Sequence, residues 1–152
     1  MKNRIDISYD DEAAGLKKLF LKNKQVTEWA NTVAAELDLH DFEMSVYFCS
    51  DEEIRTLNRD YRSLDEVTDV LSFSQIEGED VGFPTGKRKQ LGDIVISLAQ
   101  TLRQAAEDGH DPIAEEKMLV LHGMLHLLGY DHVTDNGEMM ELQRKILEKL
   151  AE

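Results

Sequence analysis

From Asp111 to His132 the chain reads DPIAEEKMLVLHGMLHLLGYDH, and this stretch constrains the fold more than any other. Asp111 before Pro112 is a helix start. The aspartate can accept from an unpaired first-turn N–H, and proline has no N–H there to leave unpaired. Glu115 and Glu116 follow in the first turn, where the helix dipole favours acids. The helix is predicted to run to Leu128, about 25 Å at 1.5 Å per residue. Its second half, LVLHGMLHLL, is apolar nearly all round, which places it at the centre of the domain.

Three of the five histidines sit in that segment, in the pattern H-x-x-x-H-x-x-G-x-x-H. His122 and His126 are four residues apart, about 40° round a helix, so both rings leave one face and can share one ion. His132 would point about 240° away if the helix continued. Gly129 removes the difficulty: a glycine just past the helix end takes the left-handed conformation and brings His132 back over the same face. Three histidines leave a fourth tetrahedral position open, as in catalytic rather than structural zinc sites. The spacing is similar to that of the metzincin proteases, with one difference. Where H-E-x-x-H enzymes place the glutamate that takes a proton from zinc-bound water, this chain has Gly123. Glycine cannot act as a base, and its missing side chain is expected to widen the cleft beside the metal. Asp131 is a candidate base, or a partner that orients a ligand.

Composition narrows the setting. Net charge is −14, from 31 acidic and 17 basic residues, which argues against a broadly basic nucleic-acid surface. A locally basic cleft is still compatible with it, and Arg55, Arg59 and Arg62 fall close together. Lys87, Arg88 and Lys89 read as a solvated cluster. No apolar run approaches the roughly 18 residues of a membrane span, and the N-terminus lacks an apolar leader, so no membrane association is expected. One cysteine, Cys49, fits a reducing cytoplasm and a small core side chain. His40 and His110 lie in polar contexts and are expected at the surface.

Along the chain, RIDISY alternates as a strand with Ile5, Ile7 and Tyr9 inward, and a helix is predicted over Thr27–Leu37. EMSVYFC is a second strand. Ser50 and Glu53 then open a helix expected to bury Ile54, Leu57 and Tyr61. TDVLSFS and GDIVIS are strands, joined by QIEGEDVGFPTGKRKQ, a surface loop long enough for a lid or rim. A helix from Leu98 ends near Gly109, and a last helix buries Met139, Leu142, Ile146 and Leu150, with Met139 and Met140 read as core.

At this point LHGMLHLLGYDH resembles the H-G-x-L-H-L-x-G-Y-D-H signature of the YbeY family of bacterial endoribonucleases. LNRDYRSLDEVTDVLSFS and LGDIVIS are similar to two further blocks of that family, in the same order from about Leu57 onward. The chain departs from the family pattern at Val67 and Ser74, where prolines are usual. The resemblance implies an α+β, zincin-like single domain over residues 1–152, with a mixed sheet of about four strands around a central metal-bearing helix and several further helices. It implies one Zn2+ held by His122, His126 and His132, and a functional arginine at Arg62. It also implies cleavage of single-stranded RNA, maturation of the small-subunit ribosomal RNA 3′ end, ribosome quality control, and ribosomal proteins as partners. Arg62 makes chemical sense there, since a guanidinium can grip a phosphate and offset charge developing on it. Two rival readings share the motif: a zincin-like hydrolase of peptides or small molecules, and a ribosome-binding factor with structural zinc.

Overall fold

A computed structural model of the chain describes residues 2–75, 88–131 and 135–151. Four strands, β1 (Arg4–Tyr9), β2 (Phe42–Cys49), β3 (Val70–Ser74) and β4 (Lys89–Ser97), form one mixed sheet in the order β1-β2-β4-β3. β1 and β4 run parallel to β2, and β3 runs antiparallel to β4. Six α-helices are described: α1 (Asp11–Leu16), α2 (Asn23–Glu36), α3 (Asp51–Arg62), α4 (Leu98–Asp108), α5 (Pro112–Leu127) and α6 (Glu138–Leu150). The result is a mixed α/β domain.

The central helix is where its sequence requires it. α5 packs on β3 and β4 and also meets α2, α4 and α6. Its Leu121, Met124 and Leu125 share one core with Val46 and Phe48 of β2 and Ile94 and Ile96 of β4. Burying each such side chain contributes about 1.5–3 kcal/mol, so this layer dominates the fold's stability. The opposite sheet face is only half covered. There α3 lays Ile54 and Leu57 over Leu71 and Val95, and leaves part of the strands open.

Local chemistry sets the ends. Asp111 accepts from the Ile113 N–H at 2.9 Å and Ser50 from the Glu53 N–H at 3.2 Å, each capping the helix that follows. α2 begins at Asn23, earlier than the apolar repeat suggests, because the Gln25 side chain accepts the Lys22 backbone N–H and fixes an earlier start. Tyr61 is a correction: it is 69% exposed, while Asn58 is buried in its place and donates to the Glu66 carbonyl. Cys49 is fully buried, as expected of a core side chain. Most of the expected lid, residues 76–87, and Lys87 with it, lies outside the described residues.

Candidate functional site

β3 and α5 lie side by side, and hydroxyls join them. Ser72 Oγ donates to the Gly123 carbonyl at 3.3 Å, and Ser74 Oγ donates to the Leu127 carbonyl at 2.9 Å. Ser74 thus caps a carbonyl in the helix's last turn, where no intrahelical partner exists. A proline at that position has no hydroxyl to do so.

A cavity of about 520 Å3 opens between these elements, lined by Arg62, Thr68, Asp69, Ser72, His122, His126 and Met140 among others. The two histidines project into it from consecutive turns, with ring centroids 4.8 Å apart and Nε2 atoms 3.2 Å apart. Two nitrogens bound to one tetrahedral zinc at about 2.0–2.1 Å are separated by about 3.3 Å, so this pair fits one ion. His122 is further set by Gln143 of α6, whose Oε1 lies 2.9 Å from His122 Nδ1. An amide oxygen only accepts, so Nδ1 carries the proton and Nε2 keeps its lone pair toward the cavity.

Arg62, the last residue of α3, reaches the same cavity. Its Nη2 donates to the Ser72 carbonyl at 2.6 Å, and its guanidinium carbon lies 5.7 Å from the centroid of the Phe73 ring. Those two contacts fix its direction and use one of its five N–H donors. Arg55 and Arg59, its neighbours in the sequence, are turned to Asp65 and Asp60 and do not line the cavity.

Gly129 has φ +97° and ends α5: its N–H bonds the His126 carbonyl at 3.0 Å, and the Tyr130 N–H bonds the Leu125 carbonyl at 3.1 Å. This paired closure reverses the chain immediately after the histidines. Asp131 follows, half-buried, with its backbone carbonyl accepting from the Asp135 N–H. His132 lies outside the described residues.

Gly123 does something other than widen the cleft. A Cβ there would meet Ile94 Cγ2 at 2.8 Å, so position 123 faces β4 and not the cavity. Glycine lets the helix press onto the sheet, and a glutamate in its place would drive its first carbon into Ile94. Met140 also departs from expectation, since it is 47% exposed and lines the cavity, whereas Met139 is fully buried in the core.

Sequence reasoning missed Gln143, Asp69 and Thr68 as members of the site. Gln143 was findable: it is a polar residue on the buried stripe of α6, between Met139 and Ile146. Asp69 accepts from the Val70 N–H and from Gln104 Nε2, which stiffens the cavity wall. A separate group, Asp108, His110 and Glu115, has ligand atoms within 4.8 Å of one another and could hold a metal ion. His110 is half exposed there, as its polar context suggests. None of these three residues lines the histidine cavity.

Comparison with known proteins bears on the same residues. The family model described as Endoribonuclease YbeY matches residues 7–151. The chain belongs to the YbeY endoribonuclease family. Endoribonuclease YbeY of Aquifex aeolicus is 43% identical, over 99% of this chain and 93% of the relative. Endoribonuclease YbeY of Symbiobacterium thermophilum is 53% identical over 71% of each chain. The solution structure of a Thermotoga maritima protein superposes with a TM-score of 0.63 at 28% identity, covering 95% of this chain and 87% of that one. The YbeY match thus takes in the whole cavity and the segment after Gly129. None of the described helices is long and apolar enough to cross a membrane.

Proposed function

We propose that this protein is a zinc-dependent endoribonuclease that cleaves single-stranded RNA and acts in maturing the 3′ end of small-subunit ribosomal RNA and in ribosome quality control. One Zn2+ is held by His122, His126 and His132 in a single zincin-like domain spanning residues 1–152, in the cytoplasm, with ribosomal proteins as partners. The observation that carries this reading is the Nε2–Nε2 spacing of 3.2 Å in a cavity shared with Arg62, in a chain of an endoribonuclease family.

When bound, zinc supplies a Lewis acid that polarises a phosphoryl oxygen and lowers the pKa of water. The chain's own residues do the rest. Gln143 holds the His122 ring and its tautomer. Arg62, anchored on Ser72, donates to the non-bridging phosphate oxygens and offsets charge that grows as the phosphorus becomes five-coordinate. Position 123 faces the sheet and cannot supply a base. Asp131, one residue before His132, is placed by sequence to take the proton or to orient that ligand.

The test compares metal-stripped and zinc-restored protein on unstructured RNA, structured RNA and casein. Zinc-dependent cleavage of unstructured RNA is expected, with Arg62→Ala lowering the rate by about 10²–10³-fold. Casein cleavage without RNA cleavage would replace the reading with that of a peptide hydrolase. Full activity in Arg62→Ala would remove the arginine from it.

A further inference from the structure

β3 separates two hollows. Successive strand residues point to opposite faces, so Ser72 lines the histidine cavity while Phe73 lines a groove on the other side of the sheet. That groove, about 430 Å3, is walled by Tyr61 and Leu57 of α3, Phe73 of β3 and Tyr47 of β2, with Asp93 and Ser45 at its polar end. Tyr61 meets Phe73 edge-on at 5.5 Å between centroids, and Arg62 sits over the same Phe73 ring. Arg62 lines the histidine cavity and borders the groove only through the Phe73 ring, so one residue separates phosphate grip from aromatic wall.

We propose that this groove receives an unpaired nucleobase of the RNA strand whose phosphate Arg62 holds, stacked on Tyr61 with its amino edge toward Asp93. The inference rests on the nuclease reading above and names a subsite for it. Four observations select a base over other occupants. A large aromatic left 69% exposed offers a π-face, and bases stack on such faces whatever their identity. Among its described lining residues the groove carries a carboxylate and no cation, which repels phosphate but accepts an N–H from a base. Ser45 donates to Asp93, which aims that carboxylate as a fixed acceptor. Lastly, the groove adjoins, across β3, the cavity already assigned to the scissile phosphate: Arg62 of that cavity lies 5.7 Å from the centroid of the groove's Phe73 ring. A strand crossing the short edge strand β3 can place its phosphate on one side and its neighbouring base on the other.

The experiment uses the zinc-loaded protein and a single-stranded RNA carrying one abasic residue, moved through the nucleotides flanking the cleaved bond. On intact RNA, Tyr61→Ala is expected to lower kcat/KM about tenfold, within the range for loss of one stacked base. On RNA abasic at the matching position, wild type should fall by a similar factor, and Tyr61→Ala should add less than about twofold. Tyr61→Phe, which keeps the ring, should restore activity and so exclude misfolding. A 2-aminopurine at that position should be quenched on binding wild type but not Tyr61→Ala. Asp93→Ala, which leaves no acceptor, should erase a preference for amino-bearing bases over uracil there. Equal losses by Tyr61→Ala on intact and abasic RNA, or unquenched 2-aminopurine, would overturn the subsite and leave the nuclease reading standing. Absence of RNA cleavage by wild type would overturn both.

Discussion

The two halves of α5 treat their titratable groups in opposite ways. At the N-terminal end, Glu115 and Glu116 are 1% and 0% exposed. Glu115 is held by Gln104 and His110 at 3.3 Å each. Glu116 accepts the Leu21 N–H at 2.9 Å through Oε1, and its Oε2 has no partner among the described residues. Two turns later, His122 and His126 are half-buried and turn their Nε2 atoms into a cavity shared with Arg62. Both ends carry a group able to bind a proton or an ion, but only the histidines open into the cavity that Arg62 also lines. Burial shields a charge, whereas a cavity wall presents it.

The largest expected effect breaks the C-terminal half. His126→Ala should abolish tight zinc binding and lower RNA cleavage by more than about 100-fold, beyond what losing a ligand's hydrogen-bond partner alone gives. Compared metal-free, variant and wild type should differ in folding stability by less than about 1 kcal/mol, since the ring is only half-buried. Metal content by elemental analysis, cleavage rates and urea melts check the three parts separately. Retained zinc with retained activity would mean that this pair of nitrogens is not the metal's seat.

Much of that half was legible in the sequence, because helix periodicity alone puts residues 122 and 126 on one face and Asp111-Pro112 sets the helix start. Strand alternation placed β1 and β2 equally well, since one buried face enforces it. What was not legible depended on pairing between distant elements. Ser72 and Ser74 read as ordinary strand residues until β3 lies against α5. Tyr61 falls on the apolar stripe of α3, but the helix overhangs the open part of the sheet, so its ring projects into solvent. Glu115 and Glu116 read only as first-turn acids favoured by the dipole, and it is the packing of α5 against its neighbours that buries them.

The next effect sharpens the N-terminal half. Burial raises the Glu116 carboxyl from 4.5 to about 7, against the Leu21 N–H bond and Lys117, which pull it down. A carboxyl with a raised folded-state pKa binds its proton more tightly in the folded chain. Its cost to stability is therefore absent below about 4.5, grows as pH rises, and is complete above about 7. That span corresponds to a loss on the order of 3 kcal/mol. Glu116→Gln keeps an oxygen for Leu21 but cannot ionise. It should exceed wild type in urea melts at pH 8 by about 1–3 kcal/mol and show no advantage at pH 4. An equal gap at both pH values would show that ionisation is not the source of the difference.

The smallest effect lies between the halves, at Gly123. Alanine there would gain about 1 kcal/mol in helix propensity over glycine. Its Cβ would also fall 2.8–3.1 Å from three carbons of Ile94, a fully buried side chain on β4. Overpacking of this kind costs about 1–3 kcal/mol, so Gly123→Ala should be destabilised by a net amount of about 1 kcal/mol. An added Ile94→Val, which removes the Cδ1 methyl, should take back part of that loss if contact with Ile94 is its cause. Zinc affinity and cleavage should stay close to wild type, because position 123 faces the sheet and both His122 and His126 keep their turns. Unchanged stability together with a large loss of activity would instead put residue 123 at the reacting phosphate. The glycine would then be keeping space for substrate, and the division of α5 into a buried half and an open half would have to be redrawn through its middle.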